Sequence, residues 1–139
     1  MSETSQACYE LLAITRQLRG EGGCLWDRRQ TIASMVHYLK SEHEELLAAI
    51  AGGDSANLCE ELGDLMFVLV LIAQIAEEEN LFSVNDVFAG ISAKLRRRHP
   101  HVFGQRRHLS IEELDEQWRR IKAEEKAAAG KSDQDGQGD

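Results

Sequence analysis

The chain is predicted to be all-α, a helical bundle of about five helices. Three observations predict it. Leu, Ala, Glu and Arg dominate the 139 residues, and all four favour helix. Apolar residues recur three and four positions apart over long stretches, the period of one helix face. Aromatic residues make up only 6% of the chain and proline occurs once, whereas a β-sandwich needs more aromatic and β-branched residues and more turn punctuation.

The elements follow in order. The first helix is predicted over residues 5–19, with Leu11, Leu12, Ile14 and Leu18 as its apolar set, and Gly20, Gly22 and Gly23 break it. A loop over 20–30 leads into the second helix, 31–51, whose apolar positions Ile32, Met35, Val36, Leu39, Leu46 and Ile50 keep the helical spacing. Gly52 and Gly53 end it, and Asp54 or Ser55 caps the third helix, 55–80. The middle of that helix, LMFVLVLIAQIA, is apolar nearly all round, which calls for burial on several sides. The fourth helix starts at Ser83, with Asp86 completing a capping-box variant, and stops before Pro100. The fifth starts at Ser110 with Glu113 as its box partner. One domain is expected over residues 1–127, followed by a disordered polar tail over 128–139. So few elements cannot cover the third helix on every side. Its core is therefore expected to be completed by oligomerisation, at least a dimer.

The net charge of −8 argues against direct nucleic-acid binding and against an anionic membrane surface. A small anionic substrate stays admissible, because a bound cation inverts the local field. The longest apolar run is too short to span a bilayer, and no secretory signal is visible. Cys8, Cys24 and Cys59 are odd in number and widely spaced, which reads as reduced thiols in a cytoplasmic protein.

The chemistry is carried by carboxylates. Glu42 and Glu45 sit three apart on the second helix, and Glu61 and Asp64 three apart on the third, so each pair shares a helix face. The two helices are joined by a short turn and should form an antiparallel hairpin. Glu45 and Glu61 both lie eight residues from Gly53, and Glu42 and Asp64 both lie eleven from it, so the four meet at matching heights. Either pair alone would suit a solvated face. Both together, flanked by Leu39, Leu46, Leu58, Leu62 and Leu65, repel one another at the edge of a core. A hard divalent cation with oxygen ligands resolves that repulsion, and Mg²⁺ pairs carboxylates with substrate phosphates. A di-iron bundle would need Glu-x-x-His pairs, and the sequence has none. Near the end of the fourth helix, Lys94, Arg97 and Arg98 form a local cation cluster suited to phosphate oxygens and also to the helix dipole. His99 and His101 flank Pro100 and suit capping or packing as well as metal ligation.

These motifs resemble the MazG family. CLWDRRQT is similar to its C-P-W-D-x-x-Q-T entry segment, and Glu42-x-x-Glu45 with EELGDLMF is similar to its E-E-x-x-E…E-x-x-D signature. KLRRRHPHVF and LDEQWRRIKAEEK resemble its closing segments, so the resemblance covers residues 8–126. It implies the all-α NTP pyrophosphatase fold, assembled as a dimer or larger. It also implies a Mg²⁺-dependent nucleoside triphosphate pyrophosphohydrolase, with Mn²⁺ as a possible substitute, acting on the α–β bond to release monophosphate and pyrophosphate. Glu42, Glu45, Glu61 and Asp64 would bind metal, with Glu45 or Glu42 serving as base. Lys94, Arg97 and Arg98 would meet the phosphates. Trp26 and Asp27 would lie near the nucleotide, though Trp26 equally suits a core. Ser41 stands where the family's first Glu falls, Leu25 replaces the usual Pro, and Ser92 replaces an Asn of some relatives. The alternative reading is a non-catalytic nucleotide-sensing or partner-binding module on the same fold.

Overall fold

The computed structural model describes the backbone of residues 1–135 and the side chains of residues 1–130. Every regular element among them is a helix: α1 (Glu3–Arg19), α2 (Leu25–Arg29), α3 (Met35–Gly52), α4 (Ser55–Glu78), α5 (Val84–Arg98), α6 (Pro100–Phe103) and α7 (Ile111–Asp135). Five of these are the predicted helices. The short α2 and α6 lie where sequence reasoning expects loop. A helix of four or five residues leaves no periodic pattern to detect, and it stands only with support from outside. Pro100 takes the first position of α6, where its fixed φ and missing N–H do no harm.

One expectation is corrected. Residues 128–135 continue α7 rather than forming a disordered tail. Ala127, Ala128 and Ala129 have the highest helix propensity and carry the helix past Lys126. The rest of the expected tail, 136–139, lies outside the described residues.

The helix ends follow local chemistry. Gly53 closes α3 in the left-handed region at φ 72°, and Asp54 caps α4 by accepting from the Ala56 N–H at 3.0 Å. Ser83 and Asp86 form the reciprocal box. The Ser83 N–H donates to Asp86 Oδ2 at 2.8 Å, and the Asp86 N–H donates to Ser83 Oγ at 3.2 Å. Ser110 Oγ accepts from the Glu113 N–H at 3.2 Å.

The described chain falls into two compact units, Met1–Val87 and Phe88–Asp139. In the first, α3 and α4 pack as the expected hairpin, and α1 packs on α4 and on α2. The core is Met35, Val68, Leu71 and Ile75, with Ile32, Tyr38, Leu39, Phe67 and Ile72 against it. The apolar middle of α4 therefore has an inside and an outside. Val68 and Leu71 turn inward, while Leu62, Met66 and Leu69, at i, i+4 and i+7, form a half-exposed stripe. Arg16 and Arg19 of α1 reach Glu77 and Glu78 at the end of α4, at 3.9 and 3.0 Å.

In the second unit, Trp118 of α7 donates from Nε1 to the Arg98 carbonyl at 3.0 Å, supplying a partner to one of the last carbonyls of α5. The buried Gln117 donates from Nε2 to His101 Nδ1 at 3.1 Å, and His99 donates from Nδ1 to the Leu95 carbonyl at 2.6 Å. Both histidines thus use a ring nitrogen in local bonding.

Candidate functional site

The α3–α4 hairpin brings Glu42, Glu61 and Asp64 together. Each offers a carboxylate oxygen, and the three oxygens lie within 4.8 Å of one another. The i, i+3 spacing on α4 aims Glu61 and Asp64 to one side, and the hairpin register sets Glu42 opposite. Glu45 is exposed and stands outside this group. Its charge is still felt. Burial, then Asp64, then Glu45 push the Glu42 carboxyl above its ordinary value. Burial, then Asp64, Glu45, Glu42 and Glu60 do the same to Glu61. Like charges held together at the edge of a core make the ionised state unfavourable unless a cation joins them. The donor set is three hard oxygens from two helices, which fits a hard divalent ion.

Beside the carboxylates opens a cleft of about 200 Å³ lined by Trp26, Met35, Tyr38, Glu42, Asp64, Phe67 and Val68. The Trp26 and Tyr38 rings meet edge to face at 4.8 Å. Sequence reasoning singled out Trp26 but missed Tyr38 and Phe67. The signal was available. Tyr38 lies four residues before Glu42 and Phe67 three after Asp64, each one turn along the ligand-bearing face. Asp27 is only 6% exposed, and its backbone carbonyl accepts from Arg19 Nη1 at 2.6 Å. Larger clefts occur in the second unit, such as one of about 670 Å³ lined in part by Arg97, Arg120, Glu124 and Glu125. Its charges are of both signs, and among the described residues it gathers no group of three carboxylates, so chemistry favours the smaller cleft.

The expected cation trio divides. Arg97 Nε and Arg98 Nη2 both bind Glu125 of α7, at 2.7 and 3.0 Å, and Arg98 Nε adds a bond at 3.4 Å. Hydrogen bonds from Arg98 and then Arg97 hold the Glu125 carboxyl down at about 2. Lys94 is exposed and makes no ion pair among the described residues. All three cations belong to the second unit, and the carboxylates to the first.

An all-helical chain that gathers three carboxylates on a helical hairpin fits the class of helical proteins able to hold a hard cation, and comparison with known proteins narrows the class to a family. Residues 30–103 match the MazG nucleotide pyrophosphohydrolase domain, and the chain belongs to that family. It is 48% identical over 118 residues to a nucleoside triphosphate pyrophosphohydrolase of Escherichia coli (strain K12), covering 84% of this chain and 45% of that protein. It is 43% identical over 126 residues to a nucleoside triphosphate pyrophosphohydrolase/pyrophosphatase MazG of Thermotoga maritima, covering 91% and 48%. The chain thus spans about half the length of these relatives. The crystal structure of a mazG-related protein from Thermotoga maritima superposes with a TM-score of 0.71 at 31% identity, over 83% of this chain and 98% of that one. The fold is therefore that of the all-α NTP pyrophosphatases.

Proposed function

We propose that this chain hydrolyses a nucleoside triphosphate at the α–β bond, releasing the monophosphate and pyrophosphate, with Mg²⁺ as its cation and Mn²⁺ as a substitute. The observation that carries this reading is the group of three carboxylate oxygens within 4.8 Å, opening on a cleft with aromatic walls. Relatives named for this activity support it.

Glu42, Glu61 and Asp64 are the proposed ligands. Bound there, the ion supplies neutralisation of the triphosphate charge and a lowered pKa for water. Glu45, exposed and outside the ligand group, is the proposed base. It takes a proton from the attacking water as that oxygen bonds the α-phosphorus and the bridging oxygen departs with pyrophosphate. Trp26, Tyr38 and Phe67 offer ring faces and edges to a base. A cleft of about 200 Å³ is below the roughly 300 Å³ at which pockets begin to enclose a whole small ligand, so it takes the base and leaves the phosphates outside. Lys94, Arg97 and Arg98 are the proposed phosphate-binding cations, Lys94 first because it has no competing ion pair among the described residues.

A second copy of the chain is the proposed cover for the Leu62, Met66 and Leu69 stripe of α4, making the protein at least a dimer. The surplus of acidic side chains supports a partner set without nucleic acid. No helix among the described residues is long and apolar enough to cross a membrane, and all three cysteines are free, which supports a reducing, cytoplasmic setting. The second reading, a nucleotide-sensing or partner-binding module, is favoured by Ser41, an exposed uncharged residue where the family's first Glu falls.

The test is a panel of canonical and damaged nucleotides with Mg²⁺ or Mn²⁺, read for pyrophosphate and monophosphate. Orthophosphate as first product overturns the bond assignment. Nucleotide binding without turnover supports the sensing module.

A further inference from the structure

The segment that carries Trp26 cannot hold its own shape. The five residues of α2 make too few internal hydrogen bonds for a free-standing helix, and its closing bond, from the Gln30 N–H to the Asp27 carbonyl, is long at 3.3 Å. One side chain from another element reinforces this end. Arg19, the last residue of α1, is only 11% exposed at its side chain. Its Nη1 donates to the Asp27 carbonyl at 2.6 Å and to the Gln30 carbonyl at 2.9 Å. Its Nε and Nη2 donate to Glu78 Oε2 and Oε1 at 3.0 and 3.4 Å. Four of the five guanidinium protons are thus engaged, and Glu78 of α4 fixes the fork from behind. Gln30 extends the chain of bonds. Its Nε2 donates to the Trp26 carbonyl at 2.9 Å, and its Oε1 accepts from Ser34 Oγ at 2.8 Å at the entrance to α3.

We propose that Arg19 is the positioning residue of the site: held by Glu78, it straps α2 in place and thereby sets the Trp26 ring at the wall of the carboxylate cleft. Arg19 touches neither the carboxylate group nor the cleft, and it acts through the backbone carbonyls of Asp27 and Gln30 alone. A planar fork with five donors can bind two carbonyls and a carboxylate together, whereas the three protons of a lysine radiate from one atom. The strap therefore belongs to the nucleotide-binding half of the proposed site and leaves the metal-binding half untouched. This rests on the pyrophosphohydrolase reading for its kinetic consequence but not for its structural one.

The experiment uses the full chain carrying Trp118→Phe, so that Trp26 is the sole tryptophan, with Arg19→Met, Arg19→Lys and Glu78→Gln added in turn. Without nucleotide, Arg19→Met should shift Trp26 emission to the red and raise its quenching by acrylamide, while the Mg²⁺ titration midpoint stays unchanged. On the triphosphate that the wild type hydrolyses fastest, KM should rise about tenfold, the loss expected for hydrogen bonds from a charged donor, with kcat unchanged. Arg19→Lys should fall between the Trp118→Phe parent and Arg19→Met, and Glu78→Gln should move emission and KM by less in the same direction. A merely structural role would lower thermal stability without this split. Emission and KM equal to those of the Trp118→Phe parent in both Arg19→Lys and Glu78→Gln, or a fall in kcat with KM unmoved, overturns the proposal. Those two variants decide it should Arg19→Met fail to fold. If no triphosphate is hydrolysed, the function proposed above falls, and the emission and quenching readouts still judge the strap.

Discussion

At the scale of single residues, Glu61 shows how a site conflicts with stability. Its carboxyl is pushed above the ordinary value, so the folded protein holds a proton there that the unfolded chain has already lost. Stability without metal therefore falls as pH rises through that range. Glu61→Gln removes the repelling charge at nearly constant shape. Its melting temperature in chelator at neutral pH should equal or exceed the wild type's, the rise on adding Mg²⁺ should vanish, and metal-dependent turnover should be lost. Asp64→Ala should behave alike. Glu45→Gln separates base from ligand. It should keep the Mg²⁺-induced rise while kcat drops by about a hundredfold or more, the usual contribution of a general base. Loss of the Mg²⁺ effect in Glu45→Gln would make Glu45 a ligand. Glu125 has the opposite sign. Its ordinary value is 4.5, and Arg98 and Arg97 hold it at about 2 in the folded chain. The stability it contributes is complete above about 4.5 and is lost as pH falls toward 2. Acid titrations of wild type and Glu125→Gln should converge through that window, and curves that stay parallel would show the ion pairs to be of no consequence.

At the scale of elements, the turn between α3 and α4 governs the site, because it sets the register that brings Glu42 to Glu61 and Asp64. Gly53 holds φ 72°, where an alanine is strained by about 1 kcal/mol. Gly53→Ala should lower stability by that amount in denaturant titration and weaken Mg²⁺ binding, since a shifted turn rotates one carboxylate face from the other. The Ser83–Asp86 box at the start of α5 offers a control. Ser83→Ala should cost about 1 kcal/mol with Mg²⁺ binding unchanged, because its bonds are to Asp86 and it stands outside the carboxylate group. These elements are legible in the amino-acid order. The two helices, the turn and the caps arise from contacts three or four residues apart, where sequence spacing and spatial distance agree, and a turn this short leaves the helices to pair with each other. The α2 segment is not legible in that way, because its hydrogen-bond partner, Arg19, comes from another helix, and Arg19 depends in turn on Glu78 at the far end of α4.

At the scale of the whole molecule, the apolar run of α4 predicts an oligomer, and the fold shows which side of it is available. Leu71 is fully buried within the first unit, and Leu62, Met66 and Leu69 are half-exposed. Burying each such side chain against a second copy contributes roughly 1.5–3 kcal/mol before the costs of association. Met66→Glu with Leu69→Glu should therefore dissociate the assembly while the fold survives, and Leu71→Glu should unfold the chain. Sedimentation at low micromolar concentration reads both outcomes. A wild-type monomer near 15.6 kDa would overturn the oligomer.

The amino-acid order by itself determined the helical class, the long helices with their caps, and the carboxylate pairs set symmetrically about Gly53. Each of these depends on residues one turn apart, and helical periodicity carries that information along the chain. Tertiary structure decided the rest. It left Glu45 outside the group of three, gave Arg97 and Arg98 to Glu125, turned Val68 and Leu71 inward and placed Tyr38 and Phe67 beside the carboxylates. It also recruited Arg19 to hold Trp26. Each of those outcomes turns on which of several compatible partners a side chain meets across a distance in sequence. Charge and burial settle that choice only once the helices have packed.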